Sequence, residues 1–247
     1  MRMKPDRRPH KTSTVPALRA RIRALADPVQ GTQSQRFFRT APGEYGEGDR
    51  FLGIRVPALR ALVQEFRDLP WEEATLLLHS EWHEERLVAL LLWVQAHSRA
   101  EEPIRSAIHR TYLEHLFWVN NWDLVDASAE HLLGPHLPPG GGRLLTRLAA
   151  SGSLWERRVA MIATLYGIRR GEFGAALRMA KRLRGDPHDL IHKAVGWMLR
   201  EVGKRDLATE RAFLDEHAAH LPRTALRYAI ERFPEPVRRH YLQLGRR

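Results

Sequence analysis

The sequence contains no cysteine, and this absence excludes several kinds of site. Among its 247 residues there is no disulfide framework, no thiolate ligand for zinc and no cysteine nucleophile. The 13 histidines do not replace them, because no HExxH motif or recurrent carboxylate–histidine pair at helical spacing occurs. We therefore expect neither a metal site nor a cofactor.

Phosphate-binding glycine loops and long apolar runs are also missing. The glycine-rich stretch GEYGEGD, residues 43–49, has neither the lysine nor the preceding strand of a nucleotide-binding loop. No run approaches the ~18 apolar residues that cross a membrane. No apolar segment follows the basic N-terminus, so we interpret residues 1–14 as a disordered basic arm, not a signal peptide. We expect a cytoplasmic protein.

Lysine is scarce, yet the chain is strongly basic. Only five of its 40 basic residues are lysine, and the net charge is +11. A surplus of this size favours a polyanionic partner such as nucleic acid. A GC-rich genome would explain the choice of arginine over lysine, but not the excess of bases over acids.

Strand-like alternation is absent outside the glycine-rich stretch, and helical periodicity dominates the rest. Apolar residues recur at helical spacing from residue 15 onward, and prolines stand where helices should begin. Residues 40–50 predict a loop or a small hairpin that displays Tyr45. We therefore predict an all-α fold with one domain over residues 15–247, and the HLPPGGG stretch at 136–142 as an internal turn.

Small residues recur at similar positions of the helices every 33 to 38 residues, which indicates helical repeats. When the repeats are aligned, the positions equivalent to Asp126 hold valine or tyrosine, so Asp126 is the one charged residue among them. A carboxylate there is costly unless it is paired or hydrated. Trp122 precedes it by four residues, so the indole and the carboxylate share one face of a helix. The stretch is either a site or a satisfied polar group of the core.

A second cluster lies on the helix after Pro187. A tryptophan and three cations fall on one helical face, and they could hold phosphates and stack on a nucleotide: Lys193, Trp197, Arg200 and Lys204. A solvated basic face with a packed tryptophan explains the pattern equally well. Arginines near the starts of successive helices are typical of a concave face that follows a phosphate backbone: Arg55, Arg60, Arg157, Arg158, Arg223, Arg227 and Arg232.

Five motifs, in order, resemble the AlkD-type DNA alkylation-repair family over about residues 30–245. They are FLGIRVP at 51–57, NWDLVD at 121–126, LWERR at 154–158, IHKAVGWMLRE at 191–201 and PRT at 222–224. The resemblance implies a HEAT-like helical-repeat solenoid whose concave basic face holds duplex DNA. The chain departs from the family pattern at Arg55, where a different polar DNA-contacting residue is expected, and in its longer 40–50 loop.

The resemblance further implies a DNA N-glycosylase that hydrolyses the glycosidic bond of cationic N3- or N7-alkylated purines in double-stranded DNA. It places Asp126, Trp122, Trp197 and Arg158 in the catalytic cleft. The expected DNA contacts are Arg55, Arg60, Tyr45, Arg157, Lys193, Arg200, Lys204 and Arg223. We expect a monomer with no membrane partner. Two alternatives stay open: a non-catalytic binder of branched or damaged DNA, and a helical scaffold for protein partners.

Overall fold

The computed structural model describes residues 13–244, and this part of the chain is all-α, as the periodicity predicts. It contains no strand, and one isolated bridge joins Arg50 to Trp82. No helix within 13–244 is long and apolar enough to cross a membrane. Residues 1–12 of the predicted basic arm lie outside the described residues.

The chain divides into two compact units at the Glu101–Glu102 boundary. The prediction of one continuous solenoid over residues 15–247 therefore stays a prediction, as does its concave basic face. The helices of the first unit are α1 (Val15–Arg23), α2 (Pro28–Phe37), α3 (Val56–Glu65), α4 (Trp71–Leu78) and α5 (His83–Arg99).

A buried carboxylate organises the loop that joins α2 to α3. Glu84 of α5 accepts hydrogen bonds from the backbone amides of Leu52, Gly53 and Ile54 at 2.8–3.2 Å. Gly53 has φ +82°, and a side chain there would lie 2.2 Å from the Asp27 carbonyl oxygen. The glycine and the carboxylate together therefore fix the FLGIRVP segment against the core of the first unit.

Residues 41–48 form consecutive turns, not a hairpin, between α2 and the bridge at Arg50. The Tyr45 side chain is half-buried, and its hydroxyl lies 3.5 Å from the carbonyl oxygen of Phe37. Tyr45 is therefore packed on its own unit and not displayed on a protruding loop.

The second unit is a series of helices of 4 to 15 residues. Proline precedes or starts several of them, because its fixed φ suits a first helical turn. The helices are α6 (Ile104–Glu114), α7 (Trp122–Leu132), α8 (Gly142–Leu148), α9 (Leu154–Ile162), α10 (Leu165–Ile168), α11 (Gly174–Leu183), α12 (Asp189–Gly203), α13 (Leu207–His217), α14 (Arg223–Ala229) and α15 (Glu235–Leu244).

Four helices of this unit form one row, in which α7 packs on α9, α9 on α12, and α12 on α14. Helices α8, α11 and α13 pack against this row. The α12–α14 contact is close because Gly196 lacks a side chain. A Cβ at Gly196 would lie 2.2 Å from the carbonyl oxygen of Ala225. The predicted cleft residues lie on helices of this row.

Candidate active site

The site begins at the first turn of α7. Asn121 is fully buried and caps the helix, and its side-chain oxygen accepts a hydrogen bond from the amide of Trp122 at 2.9 Å. Asp123 lies in the first turn, where the helix dipole favours an acid. Leu124 and Val125 are buried in the core. The cap and the buried stripe fix the rotation of α7 and hence the direction of Asp126.

Asp126 forms a bidentate ion pair with Arg158 of α9. Nε and Nη2 of Arg158 donate to the two carboxylate oxygens of Asp126 at 2.9 and 2.7 Å. Nη1 of Arg158 donates to the carbonyl oxygen of Leu190, at the start of α12, at 2.5 Å. One guanidinium therefore joins three helices. Its planar fork matches a carboxylate in a way that an ammonium group cannot.

The carboxylate reaches the surface and the guanidinium does not. The side chain of Asp126 is 19% exposed, whereas that of Arg158 is 6% exposed. Burial raises the pKa of Asp126 above its usual value, and the nearby Asp123 adds to this effect, while the charge and hydrogen bonds of Arg158 oppose it. Arg158 thus favours the ionised form of a carboxylate that remains partly accessible.

Two tryptophans lie on helices of the same row. Trp122 is half-buried one turn before Asp126 on α7, and Trp197 is half-buried on α12. Nε1 of Trp197 donates to Oε1 of Glu201 at 3.2 Å. All four predicted cleft residues therefore lie on the adjacent helices α7, α9 and α12, and the structure joins two of them directly.

Every cation of the predicted basic face on α12 has an acidic partner in the second unit. Nζ of Lys193 lies 2.9 Å from a carboxylate oxygen of Asp189. Arg200 forms an ion pair with Glu231, and Lys204 with Glu201. Each of these cations is therefore partly neutralised by an acid, which would compete with a phosphate bound at the same place.

The other arginines predicted to contact DNA fall into two groups, which differ in exposure and in hydrogen-bond partners. Arg157 is held by Asp186 at 2.6 Å and by two loop carbonyl oxygens, and Arg223 donates to the carbonyl oxygen of Leu242. Both are half-buried and engaged within the second unit. Arg55 and Arg60 are exposed on the first unit and form no ion pair within residues 13–244. Their contact with DNA stays a prediction.

Several groups at the site do not follow from the motifs. Glu201 binds Trp197 and Lys204, and its positions at i+4 and i−3 could have revealed both contacts. The Leu190 carbonyl could not be found, because its role depends on how α9 meets α12. Within residues 13–244 no cluster of three potential ligands could hold a metal ion.

Proteins of known family and structure resemble this chain. A family described as "DNA alkylation repair enzyme" matches residues 18–233. A solved structure titled "Predicted DNA alkylation repair enzyme from Enterococcus faecalis" is 19% identical with a TM-score of 0.66, and the match covers 85% of this chain and 97% of that one. At this identity the structural likeness concerns the fold alone. No curated protein matches the chain.

Proposed function

The chain belongs to the DNA alkylation repair enzyme family, and from this premise we propose that it is a DNA N-glycosylase acting on cationic N3- or N7-alkylated purines. The observation that supports the proposal most is the Asp126–Arg158 pair. The pair orients a partly accessible carboxylate on α7, the helix that also carries Trp122, and α12, which carries Trp197, packs on the helix of Arg158.

The proposed reaction does not require a general acid to protonate the departing base. An N-alkylated purine already carries a positive charge, so it leaves as a neutral base with the electron pair of the C1′–N bond. Oxocarbenium character then develops on the deoxyribose, as in other glycoside hydrolyses. Water adds at C1′ and loses a proton, which gives an abasic site and the free base.

Each cleft residue has a role in this scheme. The ionised Asp126 stabilises the developing cation or orients the attacking water. The faces of Trp122 and Trp197 attract the cationic nucleotide, each contributing about 0.5–2 kcal/mol. Arg158 orients Asp126 and favours its ionised form. Arg158 also belongs to the arginines predicted to follow a phosphate backbone, but its side chain is only 6% exposed, so this scheme gives it no phosphate contact.

A base-release assay tests the proposal. The protein, in excess over methylated duplex DNA, should release 7-methylguanine or 3-methyladenine, quantified by chromatography. Asp126→Asn should reduce the single-turnover rate by at least about a hundredfold, the range found when one group that stabilises transition-state charge is removed. Its affinity for the same duplex should remain within a few fold.

Asp123→Asn is the matched control, because it makes the same change three residues earlier, where the side chain accepts a hydrogen bond from the Leu124 amide at the helix start. It should retain most of the activity. Thermal melting of both variants separates lost chemistry from lost folding. If the wild-type protein releases no base at high excess but binds DNA, the non-catalytic binder becomes the better assignment.

A further inference from the structure

The internal HLPPGGG turn builds a groove that the proposed reaction does not use. Glycines 140, 141 and 142 of this turn all have positive φ, between +61° and +83°. Residues with a side chain rarely adopt this backbone conformation. A Cβ at Gly140 would lie 2.3 Å from Nη2 of Arg178. The glycine turn therefore leaves room for this guanidinium to lie against the backbone.

The groove has a volume of about 690 Å³ and runs between the turn, α8 and α11. Four arginines line it, and no carboxylate of the described residues does. Two come from each helix, one turn apart, so the guanidinium groups extend along both walls. We call this surface the arginine groove; it consists of Arg143, Arg147, Arg178 and Arg182.

These four arginines differ from the α12 cations that are predicted to bind DNA. All four are exposed, and none forms an ion pair within the part of the chain that the structure describes. Lys193, Arg200 and Lys204 on α12, in contrast, each pair with an acid. Like charges one helical turn apart repel each other. An anion in the groove relieves this repulsion without breaking an existing ion pair.

We infer that the arginine groove is a second nucleic-acid surface, which binds the sugar–phosphate backbone of undamaged DNA away from the Asp126 carboxylate. Neither α8 nor α11 carries a residue of the Asp126–Arg158 pair. The choice of DNA as the polyanion rests on the proposed function. Guanidinium groups in two rows suit the repeated charges of a backbone, and they read no base sequence.

Salt-dependent binding tests this inference. The probe is a fluorescein-labelled, undamaged duplex of about two helical turns, and its dissociation constant is measured by anisotropy across a salt series. The variant replaces Arg143, Arg147, Arg178 and Arg182 with alanine. Its slope of log Kd against log salt should fall by about 0.9 for each phosphate that the groove no longer neutralises, and so by at most ~3.6. The two double variants, one for each helix, should each show part of this change.

The matched control makes the same change in net charge at four exposed arginines elsewhere in the second unit: Arg110, Arg170, Arg211 and Arg239. It should keep nearly the wild-type slope. A groove variant that behaves like this control overturns the inference, and binding of poly-glutamate by the groove with an unchanged DNA slope would assign it to acidic proteins instead.

The same preparations separate the two proposals. The groove variant should cleave alkylated duplex at the wild-type single-turnover rate when enzyme saturates the DNA, because no cleft residue is changed. If no preparation releases base but the groove variant still shows a reduced salt dependence, the glycosylase proposal fails and the groove stands.

Discussion

At the scale of single residues, the protonation state of Asp126 controls the proposed reaction. Its pKa lies above the ordinary value of 3.8, because burial disfavours the charged form and Asp123 repels it. The ionised carboxylate is the active form. Activity is therefore lost as the pH falls through this raised pKa, and the loss begins at a higher pH than an exposed aspartate would give.

The single-turnover rate of base release, measured at saturating enzyme across a pH series, should show an acid limb with a midpoint above 3.8. Asp123→Asn should move this midpoint to lower pH, because it removes one negative charge near Asp126. A midpoint at or below 3.8 in the wild-type protein would mean that another group controls the limb. Spontaneous base loss, measured without enzyme at each pH, is subtracted.

At the scale of helices, the packing of α12 on α14 depends on Gly196. Gly196→Ala should destabilise the protein by about 1–3 kcal/mol, because the added Cβ meets the Ala225 carbonyl oxygen at 2.2 Å and the Tyr228 Cβ at 2.5 Å. The helix propensity that alanine adds, about 1 kcal/mol, is too small to reverse the sign.

Urea unfolding followed by circular dichroism measures this change. Gly185→Ala is the control, since a Cβ there meets nothing within 4 Å. An unchanged midpoint for Gly196→Ala would show that α14 moves aside at little cost, and that the close approach does not constrain α12.

These helices also show what the sequence could and could not predict. A glycine in the middle of a helix costs about 1 kcal/mol relative to alanine, so Gly196 indicates a close approach of another element. The structure has one, but the sequence does not identify Ala225 as the neighbour. Asp126 stands out as a lone charge in an apolar column, whereas its partner Arg158 lies 32 residues away. Local periodicity and capping follow from spacing, while contacts between helices depend on packing that spacing does not encode.

The sequence also does not reveal every ion-pair partner of the exposed cations. The spacing of Lys193, Arg200 and Lys204 predicts one helical face; Lys193 and Arg200 lie on α12 and Lys204 caps its C-terminus, but the partner of Arg200, Glu231, lies on a different element. The arginines of α8 and α11 that line the groove have equally regular spacing. The acidic partners of Lys193 and Lys204 lie at i,i+4 and i,i+3 spacing and could be expected from the sequence, whereas only the packing of helices shows that Arg200 is paired.

At the scale of the whole molecule, the net charge of +11 favours association with DNA irrespective of its sequence. For about four phosphate contacts, the affinity of the wild-type protein for undamaged duplex should fall roughly a hundredfold between about 50 and 200 mM salt. Anisotropy titrations measure this change. A salt-independent Kd, or no binding, would favour a scaffold for proteins, which has no counterions to release.

The contact between Arg158, Asp126 and the Leu190 carbonyl also has an evolutionary consequence. Because one guanidinium both orients the carboxylate and holds α7, α9 and α12 together, a substitution at Arg158 affects chemistry and folding at once. Selection for either property protects the same residue. A descendant that no longer cleaved DNA would therefore still tend to keep Arg158, and its presence alone in a relative is weak evidence of activity.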